Sequence, residues 1–207
     1  AGKTLLYREP PHYITLGKEL PAKALDEILT DHAEVFTELK EYYKQTSESD
    51  TTKISFYEDT YSLYNLYRFA HYYEEAYGKY IWLKSGASLV IEHTEAMTVI
   101  DVNTGSVLKK KKQEDTLYQI NREAAKEIAR QLRLRNISGI IMIDFINMKD
   151  TAQKEKLLSL LDSECKKDRV HCNVIDMTAL NLVEMTRSKV RKPLHEQIRS
   201  CMKNNRS

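Results

Sequence analysis

The sequence predicts an α/β fold built on a mixed sheet, and three observations carry that prediction. The stretch from Thr98 to Met148 reads as a strand, a long helix and a second strand. The chain then continues as helices alternating with strands, the pattern of a sheet with covered faces. Finally, 207 residues can bury a substantial core as one large or two small domains.

Taken in order, Lys3 to Arg8 can form a strand, which Glu9-Pro10-Pro11 ends. There is little room before it for caps or a preceding element, and the reading is that the chain is a shortened form. Ala22 to Leu29 is apolar with interspersed acids and fits helix or strand. Asp31 can cap a helix from about His32 to Lys44, where Val35, Phe36, Leu39 and Tyr43 recur at helical spacing. The polar stretch from Thr46 to Thr52 is the expected boundary in the first half.

Lys53 to Tyr57 alternates like a strand, and Asp59 or Thr60 can cap a helix reaching Tyr77. Tyr61, Tyr64, Leu66, Tyr67, Ala70, Tyr73 and Tyr77 give that helix a broad aromatic face, which suits packing against a sheet or stacking on RNA bases. The ordinary meaning of helical periodicity favours packing. Gly78 closes the helix. Tyr80 to Leu83 and Ser88 to Glu92 then form a hairpin that turns at Lys84-Ser85-Gly86.

The hairpin feeds Met97 to Asn103, an apolar β-branched run stopped by Thr104-Gly105. Lys109, Lys110, Lys111 and Lys112 form the densest positive run in the chain, either a solvated loop or a phosphate contact. Glu114 to Arg135 reads as a helix with Ala124, Ala125, Ile128, Ala129 and Leu132 on its buried face. Its basic tail of Arg130, Arg133 and Arg135 suits a helix C-terminus and equally a phosphate. Gly139 to Met148 is apolar on both faces, as a central strand covered by helices on each side is. A helix from about Thr151 to Lys166, a strand from Val170 to Ile175 and a basic helical tail from Lys192 to about Cys201 follow. Asn181 to Arg187 reads equally as strand or turn.

Basic and acidic residues nearly balance, 32 against 30, so no bulk field announces a polyanion partner. No stretch is apolar enough to span a bilayer and no signal peptide opens the chain, so the expected location is cytoplasmic. Cys165, Cys172 and Cys201 lack the spacing of a disulfide framework or a zinc knuckle and read as free thiols.

Asp101 and Asp144 each stand at a strand end, where burial favours an aliphatic residue. An ionised carboxylate withdrawn from water is costly unless it is paired or holds a metal. Mg²⁺ takes oxygen ligands and is satisfied by one or two carboxylates plus waters. Asn103, two residues after Asp101, lies on the same side of the strand and can donate to a phosphate or a bound water. Such a set suits phosphodiester hydrolysis. Spacing alone equally admits helix capping and ion pairing.

At these residues the sequence resembles a known family. Thr94 to Gly105, Asn121-Arg122-Glu123-Ala124-Ala125, Ile128 to Arg135, Gly139 to Ile146 and Leu182-Val183-Glu184-Met185-Thr186-Arg187 together resemble the ribonuclease E/G family, with wording closer to the ribonuclease G branch. The resemblance implies a Mg²⁺-requiring endoribonuclease of RNA processing and decay that cuts single-stranded RNA and leaves 5′-phosphate ends. It implies Asp101 and Asp144 as metal ligands and Asn103 as an orienting residue. Lys109 to Lys112, Arg130, Arg133, Arg135 and Arg187 are the expected RNA contacts.

The resemblance further implies four segments. Residues 1–50 match a 5′-end-sensing remnant, 53–85 part of a ribonuclease-H-like subdomain, 86–191 a deoxyribonuclease-I-like catalytic domain, and 192–207 a basic tail. It also brings a homodimer into consideration, since relatives assemble as dimers and higher oligomers. The sequence departs from the family in lacking an OB-fold segment, the Arg-Thr motif that reads a 5′-monophosphate and a Cys-Pro-x-Cys link. Asn147 stands where the family usually has aspartate. Two other readings stay open on sequence grounds: a non-catalytic RNA-binding or scaffold fragment, and a metal-dependent nuclease acting on DNA.

Overall fold

The computed structural model describes residues 11, 13–15, 25–46, 53–105 and 114–204, so the strand read at Lys3 to Arg8 and the run Lys109 to Lys112 lie outside the described residues. The chain divides into two compact units, residues 1–70 and 71–207. This division differs from the four segments read from the sequence. Lys53–Phe56 belongs to a small sheet in the first unit, and Tyr80–Trp82 is the edge of a larger sheet in the second.

In the first unit, β1 (Glu27–Thr30) and β2 (Lys53–Phe56) pair in parallel, and the crossover that parallel neighbours need is supplied by α1 (Ala33–Thr46). Leu39 of α1 is buried, and Phe36 meets Phe56 with ring centroids 5.4 Å apart.

The helix expected to run unbroken to Tyr77 is two helices, α2 (Leu63–Leu66) and α3 (Phe69–Tyr77). Ser62 caps α2 by accepting the Asn65 amide, in place of Asp59 or Thr60. Arg68, at φ 53°, breaks the ladder between the helices. The aromatic stripe does not pack as expected either. Tyr61, Tyr64, Tyr67, Tyr73 and Tyr77 are all large exposed residues. The break at Arg68 interrupts the periodicity that would have gathered them on one buried face.

The second unit is a mixed α/β structure with a six-stranded sheet. Its strands are β3 (Tyr80–Trp82), β4 (Ser88–His93), β5 (Met97–Asn103), β6 (Gly139–Asp144), β7 (Cys172–Met177) and β8 (Leu182–Arg187), in spatial order β3-β4-β5-β6-β8-β7. The undecided segment from Asn181 is therefore strand, inserted beside β6. Only β5 and β6 pair in parallel, joined by α4 (Glu114–Leu134); the other pairings are antiparallel.

Ile81, Leu89, Ile91, Ile100, Val102, Ile141, Ile143, Val183 and Met185 form one face of this sheet and join the apolar sides of α4 and α5 (Thr151–Cys165) in a single core. The opposite face is not covered in the way the sequence predicted for β6. Ile140, on that face, is 49% exposed. Apolar side chains on both faces of β6 gave the sequence the look of a fully covered strand, yet among the described residues of this unit the helices in that core contact one face only. No helix among the described residues is long and apolar enough to cross a membrane.

The final helix, α6 (Leu194–Asn204), is tied to the end of α4 through the Leu194 amide, which donates to the Arg135 carbonyl at 3.0 Å. His195 stacks on His93 of β4 with ring centroids 3.8 Å apart and planes 14° from parallel. His93 Nδ1 also meets Thr98 Oγ1 at 3.0 Å. Burial, then the neighbouring His195, Arg135 and Arg199, hold His93 down to about 4. Burial also lowers His195, with Arg199 and Lys189 acting in the same direction and Glu196 opposing.

An unfolded histidine takes its proton near pH 6.5, roughly, so between there and about 4 the unfolded chain binds more protons than the folded one. Stability therefore falls as pH drops through that window. The expected loss from the pair is about 1–2 kcal/mol, after allowing for the half-exposed rings. The His93→Gln variant should lose less stability than the parent between pH 7 and pH 4.5, roughly, when thermal unfolding of the two is compared. Parallel losses would remove the histidine pair from the explanation.

Candidate active site

The geometry of the site follows from strand register. Asp101 and Asp144 are direct partners in the β5–β6 pairing. Because these strands run the same way, both carboxylates arrive at the same end of the sheet, and residues paired in register share a face. That face is the uncovered one, since Ile100, Val102 and Ile143 on either side of the acids point into the core.

Asn103 Nδ2 donates to Asp101 Oδ2 at 2.7 Å. The asparagine thus holds one oxygen of the acid and leaves the other to a ligand. Asp144 sits above the ordinary carboxylate range, first from partial burial at the strand end and then from the adjacent Asp101 charge. Two like charges in register disfavour the doubly ionised state, and a bound cation relieves that cost. Among the described residues no group of three or more His, Cys, Asp or Glu side chains converges on one point. The donor set is a pair of carboxylates with an oriented neighbour, which fits Mg²⁺ with retained waters.

Asn121 and Glu123, which the sequence reading placed in a motif without a role of their own, hold the surrounding loops. Asn121, fully buried on α4, donates through Nδ2 to the Ile146 carbonyl at 2.7 Å and accepts the Ile146 amide at 3.0 Å. This double latch fixes the loop that leaves Asp144. Two residues on, Glu123 Oε1 accepts the Lys84 amide at 2.7 Å and holds the β3–β4 turn. Gly105 follows Asn103 at φ +56°, and a Cβ there would stand 2.8 Å from the Gly86 carbonyl oxygen, so the close approach of these two turns requires glycine.

The expected RNA contacts divide by burial. Arg130 is partly exposed but pairs with Glu75 and Glu127, while Arg133 is exposed. Arg135 and Arg187 are interior, each 4% exposed. Arg135 donates to Gln131 Oε1 at 2.6 Å and to the Glu75 carbonyl at 2.9 Å. Arg187 donates to Asp168, Asn136 and the Ile137 carbonyl. These two guanidinium groups are committed to the fold and are not available at the surface. Cys165 and Cys172 are free thiols.

Comparison with known proteins decides the family. Residues 1–190 match the model of the ribonuclease E/G family. The chain belongs to the ribonuclease E/G family. It is 36% identical to ribonuclease G of Haemophilus influenzae over 93% of the chain and 39% of that protein. To ribonuclease G of Escherichia coli K12 it is 38% identical over 82% of the chain and 35% of that protein. To ribonuclease E of Haemophilus influenzae it is 30% identical over 93% of the chain and 20% of that protein. The chain thus spans well under half the length of these ribonuclease E/G relatives.

Proposed function

We propose that the chain is a Mg²⁺-dependent endoribonuclease that hydrolyses phosphodiester bonds in single-stranded RNA and leaves 5′-phosphate ends, acting in RNA processing and decay. The observation that carries this reading is the register match of Asp101 and Asp144 at one end of an uncovered sheet face. The names of the similar proteins, ribonucleases G and E, support the same substrate. The deoxyribonuclease-I-like reading of residues 86–191 and the ribonuclease-H-like reading of 53–85 belong to this proposal.

In the mechanism, Asp101 and Asp144 would hold the metal. Bound there, Mg²⁺ supplies an activated water and neutralises charge on the attacked phosphate. Asn103 keeps Asp101 turned toward the site through its Nδ2 hydrogen bond. Asn121 keeps the Asp144 strand end from swinging away by holding both the backbone N–H and the carbonyl of Ile146. An open sheet face admits a splayed backbone more readily than a duplex, which agrees with a single-stranded substrate.

Incubation of the chain with a short single-stranded RNA, and with DNA of the same sequence, in Mg²⁺ or in EDTA tests the proposal. The expected result is cutting of RNA in Mg²⁺ alone, with new 5′-phosphate ends. Equal cutting in EDTA, or preference for DNA, would overturn it.

A further inference from the structure

We propose that Tyr80 and Trp82 form a stacking platform for an unpaired base of the RNA, on the same sheet face as the carboxylate pair. The proposal rests on the endoribonuclease reading above and adds to it the place where the substrate is gripped.

Register places the two aromatics. Tyr80 pairs with Val90, Val90 with Asp101, and Asp101 with Asp144, so these four residues form one row across β3, β4, β5 and β6. Trp82 pairs with Ser88 and Ser88 with Asn103, which forms the adjacent row. Residues opposite one another across a ladder share a face, and Ile81 between the two aromatics points into the core. Tyr80 and Trp82 therefore lie on the face of Asp101, Asn103 and Asp144, two strands and about 10 Å from Asp101 and Asn103, and three strands and about 14 Å from Asp144, by strand spacing.

Their exposure is the second observation. Tyr80 is 60% exposed and Trp82 is 73% exposed. A single exposed aromatic is ordinary. Two of them at i and i+2 on an edge strand, facing the same way as a hydrolytic pair, are not accounted for by packing. Between the platform and the acids, Val90 is partly exposed, while Ser88, between Trp82 and Asn103, is covered at 6% exposure. Lys79, which is ion-paired with Glu92, lies over the Tyr80 ring at 5.7 Å. Aromatic faces hold bases of any sequence, because every base has a π-face. A base resting on this platform leaves the neighbouring sugar-phosphate to run over Val90 toward Asp101 and Asp144.

Trp82 is the only tryptophan in the chain, so intrinsic fluorescence reports on the platform directly. The Asp144→Asn chain, which binds without cutting, is titrated with a short oligoadenylate and with an abasic oligoribonucleotide of the same length. The oligoadenylate should quench Trp82 saturably and the abasic strand should not. In the parent chain, Trp82→Ala and Tyr80→Ala should each raise KM for RNA about tenfold with kcat within about twofold, from the usual strength of base stacking. Trp82→Phe should restore KM most of the way. RNA that is bound and cut while tryptophan fluorescence and the KM of both alanine variants stay unchanged would overturn the platform and leave the endoribonuclease reading standing. A chain that neither binds nor cuts RNA would overturn both.

Discussion

The Asp144→Asn variant is expected to cut RNA at least about a thousandfold more slowly than the parent, with no loss of thermal stability. The two halves of this expectation have one origin. Asp144 stands in register with Asp101, and burial together with that neighbour raises its carboxyl above the ordinary range. A carboxyl raised in the fold makes the ionised protein less stable at neutral pH than the same group in water would. Asparagine keeps the shape and removes the charge, so the fold loses a repulsion while the site loses a ligand. Single-turnover cleavage and thermal unfolding of the same preparation measure both. Retained cleavage would remove Asp144 from the chemistry, and a large fall in Tm would make it a structural residue instead.

The second large effect is on stability. Arg187→Ala should cost about 3–5 kcal/mol, because it leaves a buried carboxylate without its partner. The Arg187 and Asp168 side chains are 3% and 5% exposed, and Arg187 Nε donates to Asp168 Oδ2 at 2.9 Å. Its Nη1 donates at 2.9 Å both to Asn136 Oδ1 and to the Ile137 carbonyl. One side chain thereby ties β8 to the connections that flank β6 and β7. Arg187→Lys keeps the charge but not the planar fork, and should fall between parent and alanine. Urea unfolding gives the differences. If Arg187 met RNA instead, the alanine variant would unfold like the parent and bind RNA less well.

Much of the second unit was readable because its strands announce themselves. Met97 to Asn103 and Gly139 to Met148 read as apolar runs, and the acid within each one breaks the pattern at the position proposed for the metal. The misreadings have physical causes. Ile140 and Met142 lie on the uncovered face, yet an aliphatic side chain carries no mark of which face is covered. The helical stripe through Tyr61 and Tyr77 gave no warning of the break, because Arg68 occupies a left-handed conformation that sequence usually reserves for glycine or asparagine.

Arg187 and Asn121 show the opposite lesson. Val183, Met185 and Arg187 alternate as buried positions of one strand, and Asn121 stands on the stripe of Ala124, Ala125 and Ile128. A polar residue at a position where the period demands an apolar one was the available signal for both. The resemblance to the ribonuclease E/G family supplied the roles proposed for Asp101, Asn103 and Asp144. It could not supply the latch geometry, which depends on where the loop after Asp144 meets α4.

The lone parallel pairing of the larger sheet also bears on how the molecule comes into being. Hairpins such as β3–β4 close locally, whereas the β5–β6 pairing spans all of α4 and is a contact of high sequence separation, which closes more slowly. Asp101 and Asp144 come together in that same event. A nascent or partly collapsed chain therefore carries both acids without carrying the centre they make. On the proposed function, the centre for RNA cleavage forms only with the completed topology of the sheet.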